Sequence, residues 1–259
     1  MRAIATVALL ANDLPGLRVA EYLRERGDEI VAVYLHAPER RRLGAEIVSA
    51  SGCDPADVHD AAELRNPDGV AALAALGPDF IVTVYWAHLL SPDVIAAARR
   101  GTVNFHPALL PVNRGWYPHV HSIVDGSPTG VTLHAVDAGA DTGPVWAQRE
   151  VPLTPYDTAG TIYARLQDEI VALFRETWPA IVAGDLEPRP QDHERAVYHD
   201  RSEVDALDEL RLDDVMRVGD VMDRLRARSH GARGFAWYEV DGERVYVNVR
   251  LGRTPAMDD

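Results

Sequence analysis

The chain has 259 residues, 47% hydrophobic and 25% charged, ordinary proportions for a globular protein, and its length predicts one large domain with a small appendage. Its formal net charge of -14 disfavours a nucleic-acid partner, because so acidic a surface repels polyphosphate. All 26 basic side chains are arginine, which excludes a lysine Schiff base or a P-loop lysine, and the single cysteine, Cys53, excludes an internal disulfide and a multi-cysteine metal centre.

In chain order, the apolar run from Ala3 to Leu10 predicts a buried first strand. Asn12, Asp13 and Pro15 end it too early for a signal core or a membrane span, so a cytoplasmic protein without a membrane partner is expected. Asp13 is placed to cap a helix from about Leu14 to Arg26, which Gly27 closes. Glu29 to Leu35 reads as a second strand, and helical periodicity resumes from Glu39 to Ala50. Asn66-Pro67 opens a helix to Leu76, broken at Gly77-Pro78, and Phe80 to Val84 is again a buried strand. Ser91-Pro92 starts a short helix to Ala98, followed by a strand from Gly101 to Phe105. This alternation predicts an α/β fold with a doubly wound, Rossmann-like, mostly parallel sheet. The first strand is followed by Ala11-Asn-Asp-Leu-Pro-Gly16 and not by Gly-x-Gly-x-x-Gly, so no dinucleotide cofactor is expected.

Further on, the pattern predicts a helix from Tyr117 to Val124, strands near Thr129 to Ala135 and Val145 to Val151, and a long helix capped by Asp157 or Thr158 and closed by Gly184. The charged, proline-bearing stretch Asp185 to Asp200 reads as a linker. Beyond it come a helix from Leu212 to Arg228 and a hairpin, Phe235 to Val240 and Arg244 to Leu251, turned at Asp241-Gly242. Residues 1–190 are therefore expected to form the catalytic domain, and 191–259 a linker with a small helix and hairpin that packs on the core or on a second subunit.

The chemistry-bearing stretch is Gly101 to Gly115, centred on Asn104-Phe-His106-Pro. In an extended segment Asn104 and His106 share one face while Phe105 points to the other, and Pro107 ends the strand with His106 at its tip. Ligands of doubly wound sheets bind at such carboxyl ends. Downstream, Asp137-Ala-Gly-Ala-Asp141-Thr-Gly-Pro144 sets a carboxylate on a glycine-framed turn.

Asn104, His106, the Leu109-Leu110-Pro111 tail and Asp141-Thr-Gly together resemble the N10-formyltetrahydrofolate-dependent formyltransferase family over about Ala3 to Pro190. The resemblance implies a catalytic Asn, His and Asp set, here Asn104, His106 and Asp141, and N10-formyltetrahydrofolate as formyl donor, with no metal. The residue types suit the reaction: an amide donor for a developing oxyanion, an imidazole base for the amine proton, and a carboxylate that orients the ring. The resemblance also implies a folate site between the loop Tyr85, Trp86, Leu89, Leu90 and the loop Val136, Asp137, Asp141. For Trp86 and Leu89, plain core packing is the competing reading.

The family divides by acceptor. Members that formylate initiator methionyl-tRNA resemble this core but carry a larger, basic C-terminal domain, whereas residues 200–259 here hold 14 acidic and 10 basic side chains. Glycinamide ribonucleotide formyltransferases stop near the core, and formyltetrahydrofolate hydrolases carry an N-terminal regulatory domain. The sequence is most similar to the sugar-nucleotide N-formyltransferases, which implies a small-molecule amine acceptor, an amino-deoxysugar nucleotide, contacted by Arg114, Trp116, Tyr117 and His119. Arginine suits a diphosphate and the aromatic pair a base or sugar, with a ligand-free lid over the core as the alternative. This chain has His119 and His121 where many such enzymes have Asn and Trp, so the sugar contacts differ. Formylation of another small amine, or a non-catalytic folate- or nucleotide-binding role, is the alternative function. His119-x-His121 at a helix start diverges by i and i+2, so a metal site is not expected there. A homodimer contact is the preferred role for the hairpin.

Overall fold

The computed structural model describes residues 3–253. Met1, Arg2 and residues 254–259, the extreme ends of the two expected domains, lie outside the described residues. The chain forms two compact units. One contains the chain up to His106 with Thr132–Arg149 and Gln167–His193; the other contains Pro107–Val131, Glu150–Leu166 and the chain from Glu194.

The elements follow the expected alternation, with one short edge strand, β3, added that the sequence pattern does not mark. Strand β1 (Thr6–Ala11), helix α1 (Asp13–Arg26), β2 (Glu29–Leu35), α2 (Gly44–Ser51), β3 (Val58–Asp60), α3 (Pro67–Leu76), β4 (Phe80–Val84), α4 (Pro92–Ala96) and β5 (Gly101–His106) come first. They are followed by β6 (Arg114–Gly115), α5 (Pro118–Asp125), β7 (Gly130–His134), β8 (Val145–Glu150), α6 (Ala159–Ala183), β9 (Tyr198–His199) and α7 (Val218–Ala227). The small pairs β10 (Ser229–His230) with β11 (Arg233–Gly234) and β12 (Trp237–Val240) with β13 (Glu243–Tyr246) complete the described chain.

The main sheet has seven strands in the order β3-β2-β1-β4-β5-β7-β8. Pairing is parallel from β3 through β5, and β7 joins β5 antiparallel. β1 is buried from Val7 to Ala11, as a central parallel strand covered on both faces must be. Beneath the sheet, the fully buried Trp178 donates its Nε1 to Asp28 Oδ2 at 2.8 Å. Asp28 also pairs with Arg26 at 2.7 Å and accepts from Ala5 N, so a buried charge pair is satisfied on every side.

Several boundaries differ from the expected ones for local reasons. α1 takes Asn12 as its N-cap; Asp13 sits at φ 60 and its carboxylate accepts only from Leu14 N. α2 starts at Gly44 instead of Glu39, because Leu43 at φ 53 is left-handed and residues 37–41 close a turn on Ala37 O. α7 starts at Val218, since Arg201–Leu207 forms a separate 3₁₀ helix and Asp214 N turns back to Arg211 O. The hairpin turn carries positive φ at both Asp241 and Gly242, as a two-residue turn of this kind requires. The stretch expected as a linker is anchored within each unit: Arg189 pairs with Val145 in the first, and Tyr198–His199 pairs with Arg114–Gly115 in the second.

Among the described residues, no helix is long and apolar enough to cross a membrane.

Candidate active site

Sheet register builds the site. β4 and β5 align Thr83 with Asn104, and β5 and β7 align Asn104 with His134. Cross-strand neighbours on one face meet through their side chains. Thr83 Oγ1 accordingly donates to Asn104 Oδ1 at 2.6 Å, and Asn104 Nδ2 lies 2.8 Å from His134 Nε2. His134 Nδ1 is 2.7 Å from Ala135 O, a carbonyl that can only accept, so the proton belongs on Nδ1 and Nε2 accepts from the asparagine. The amide of Asn104 is thereby held in one orientation, its oxygen toward Thr83 and its nitrogen toward His134.

The neighbouring face position, His106, is buried and its Nδ1 stands 3.5 Å from Asp141 Oδ2. The other carboxylate oxygen, Oδ1, stands 3.4 Å from His134 Nε2. With Nδ1 turned toward Asp141, the His106 ring keeps Nε2 as its basic edge. Phe105 points to the opposite face and packs on Phe174 at 5.0 Å, fixing which way the strand presents its polar side chains. Asn104, His106 and Asp141 are therefore brought together.

Asp141 occupies the left-handed region at φ 56, in a loop tied by its own groups. Asp137 Oδ1 accepts from Gly139 N at 3.1 Å and from Thr142 Oγ1 at 2.5 Å, so its carboxylate is spent on the turn. A Cβ on Gly143 would come within 1.9 Å of Ala135 O, so the loop closes only with glycine there. Beyond the end of β7, Val136 N donates to Thr102 Oγ1 at 2.6 Å.

The other residues expected at the folate site have mixed surroundings. Tyr85 follows β4 in left-handed backbone at φ 54. Trp86 stacks on His36, ring centroids 4.4 Å apart, and packs against the core cluster that contains Leu90 and borders Val136. Leu90 is thus a packing residue, while Leu89 is 73% exposed. Trp86 Nε1 and His36 Nδ1 are buried without a hydrogen-bond partner at the carboxyl ends of β4 and β2. Trp86 Nε1 is a donor, and His36 Nδ1 is an acceptor because the ring's Nε2 faces Tyr85 O at 3.5 Å. The pair calls for a guest with both acceptor and donor atoms, which fits a heteroaromatic ligand with the chemistry of a folate. Burial lowers the His36 pKa and keeps the ring neutral.

In the second unit, Arg114 is buried and its N–H donates to Val197 O at 2.8 Å. Trp116 lies beneath the Arg201 guanidinium, 5.4 Å from the ring centroid, with Tyr117 beside it at 5.9 Å. Tyr117 is the left-handed N-cap of α5. His119 is buried, 4.8 Å from the Tyr163 ring, with Nδ1 unpartnered, and burial pushes its pKa down to about 3.

In sequence His121 falls near His106, His119 and His134, but the fold groups it with His199 and Glu203, whose ligating atoms all lie within 4.8 Å of one another. The two rings stack parallel, centroids 3.5 Å apart and 5° between planes, so no ion lies in both ring planes at once. His199 already faces Glu203 at 2.8 Å and Asn113 at 3.0 Å.

Residues 10–177 match the model of the formyl transferase family, and residues 203–253 match that of the N-formyltransferase dimerization C-terminal domain. The chain belongs to the formyl transferase family. A methionyl-tRNA formyltransferase from Roseiflexus sp. is 43% identical over 136 residues, 52% of this chain and 42% of its own. A dTDP-4-amino-4,6-dideoxyglucose formyltransferase from Mycobacterium bovis is 37% identical over 150 residues, 58% of this chain and 64% of its own. The chain thus spans less than two thirds of either curated relative's length. Among solved structures, a Mycobacterium tuberculosis protein described as a sugar N-formyltransferase superposes with a TM-score of 0.81 at 28% identity, covering 98% of this chain and 100% of that one. A 4-N formyltransferase from Francisella tularensis shares the fold at a TM-score of 0.82 and 20% identity, covering 97% and 100%.

His134 and Thr83, which hold Asn104, were not assigned site roles from sequence. The signal that finds them is pairing register, visible only once β4, β5 and β7 are aligned.

Proposed function

We propose that this protein transfers a formyl group from N10-formyltetrahydrofolate to the amino group of an amino-deoxysugar nucleotide. The observation that carries the reading is the convergence of Asn104, His106 and Asp141 at the carboxyl end of β5, with the His106 to Asp141 distance at 3.5 Å. The structural likeness to the Mycobacterium tuberculosis protein over nearly the whole chain supports a sugar acceptor. The relative that acts on dTDP-4-amino-4,6-dideoxyglucose supports a nucleotide-linked one.

The donor supplies an electrophilic formyl carbon. His106 Nε2 takes the proton that the acceptor amine loses as its nitrogen bonds to that carbon. Asn104 Nδ2, oriented by His134, donates to the oxygen as negative charge develops on it. Asp141 stabilises the imidazolium that His106 becomes, so the proton is held on the protein until the folate nitrogen leaves and collects it. Trp86, His36 and Tyr85 line the proposed folate side, with Leu89, Leu90, Val136 and Asp137 shaping their loops. Arg114, Trp116, Tyr117 and His119 are the proposed acceptor contacts.

We assign residues 1–190 as the catalytic module, with Gln191 to His193 packed in the same unit, and the remainder of 191–259 as an accessory unit, with homodimerisation through the latter supported by the match at 203–253. The exposed apolar side chains Leu212, Val215, Val218, Val245 and Tyr246 fall in that stretch.

The test is incubation with formyl donor and a panel of nucleotide-linked aminosugars, read as gain of one formyl group by mass spectrometry. Turnover on a free amino acid with none on any sugar overturns the sugar acceptor.

A further inference from the structure

We propose that Gln191 is a positioning residue for Asp141, acting through the backbone of its loop; the inference rests on the catalytic reading above. Gln191 lies beyond residues 10–177 and before 203–253, outside both family matches, in a stretch whose sequence reads as a linker. In the fold its side chain is buried, and its single amide nitrogen donates to two carbonyls of the Asp141 loop, Asp141 O at 2.9 Å and Gly143 O at 2.6 Å.

The loop needs that clamp. Asp141 holds a left-handed backbone conformation at φ 56, where an L side chain is strained. The near end of the loop is fixed by Asp137 with Gly139 and Thr142. The far end is fixed by Ala135 N to Pro144 O at 2.8 Å and by Arg189, paired to Val145 at 2.7 and 2.8 Å. Between those anchors, Gln191 grips the carbonyls of the residues on either side of Thr142. The bridge between Arg189 and Val145 brings the chain at residue 191 alongside the loop, where Arg189 is exposed and the Gln191 side chain is buried. A primary amide presents two N–H groups in one plane, which a carboxylate of the same shape cannot do.

With the clamp removed, the loop relaxes toward an unstrained φ and the carboxylate moves off His106. A shift of about 1 Å in a catalytic group costs on the order of a hundredfold in rate. An adjacent carboxylate favours the imidazolium, so its withdrawal makes the His106 ring titrate at lower pH.

The test compares the parent with Gln191→Met, which keeps the volume and removes the donor, and with Gln191→Glu, which sets a carboxylate against two carbonyls. Two readouts are taken on each folded full-length variant: the His106 ring titration by carbon-13 NMR, and kcat and KM for formyl transfer. The expected result is a His106 titration midpoint lower than in the parent in Gln191→Met, and in both variants kcat down about ten- to a hundredfold with both KM values within about twofold. An unmoved His106 titration in Gln191→Met overturns the proposal, whatever happens to kcat, because a merely structural role lowers activity only in step with the folded fraction. If the parent itself transfers no formyl group, the functional reading fails, and the NMR comparison still decides the role of Gln191.

Discussion

Asn104 illustrates how one side chain acquires a role from its neighbours. Its amide could face either way in an isolated strand, but Thr83 takes the oxygen and His134 the nitrogen. His134→Phe should keep the ring volume and lose the acceptor for Asn104, lowering kcat by about ten- to a hundredfold with little change in thermal midpoint; an unchanged kcat removes His134 from the account. A second residue-scale prediction concerns His119, held neutral by burial, with its pKa depressed to about 3. The groups that add to this are His230, His121 and Arg228, all cationic or potentially so. The unfolded chain takes up a proton near pH 6.5 that the folded chain refuses until about pH 3, so the stabilisation is present above about 6.5 and is lost as pH falls toward 3. The loss is up to about 1.4 kcal/mol per pH unit within that window. Urea unfolding of parent and His119→Phe at pH 7 and 4.5 should show the variant losing less stability on acidification; equal losses contradict it.

At the level of elements, β1, β2, β4 and β5 and the helices between them were legible up to β5 because apolar runs and Pro, Gly and Ser punctuation mark them locally. The three-residue edge strand β3 was not, and α2 starts later than its pattern suggests. Phe80–Val84, with Pro78 before it, and Asn66-Pro67 opening α3 are cases where local chemistry sufficed. The pairing of Asn104 with His134 and the anchoring of Gln191 were not legible, since both depend on which strands lie side by side, and nothing local encodes that. The same holds for Asp28. Its sequence neighbours Gly27 and Glu29 suggest a solvated turn, yet it is fully buried between Arg26, Ala5 N and Trp178 from a helix 150 residues away in sequence. Asp28→Ala should strand the Arg26 guanidinium and cost about 3–5 kcal/mol in urea unfolding. A cost under about 1 kcal/mol would mean that water reaches Arg26 and that the pair does not tie α1, through Arg26, to α6, through Trp178.

For the whole molecule, the net charge of -14 and the acidic C-terminal stretch still argue for a small acceptor over tRNA, even though one relative of 43% identity acts on methionyl-tRNA. The shared segment covers 42% of that relative, which leaves more than half of it without a counterpart in the aligned region. Assembly is the other property at this scale. Val215→Glu introduces a charge at a fully exposed apolar position within the dimerization-type stretch. Light scattering should report a dimer for the parent and a monomer for the variant; a parent that stays monomeric at all concentrations removes the homodimer.

The most direct measurement is the single-turnover rate of formyl transfer from N10-formyltetrahydrofolate to a nucleotide-linked aminosugar, compared between the parent and His106→Ala. A base 3.5 Å from Asp141 at the tip of β5 predicts a rate at least about a hundredfold slower in the variant. Retention of more than about a tenth of the parent rate contradicts proton transfer through His106.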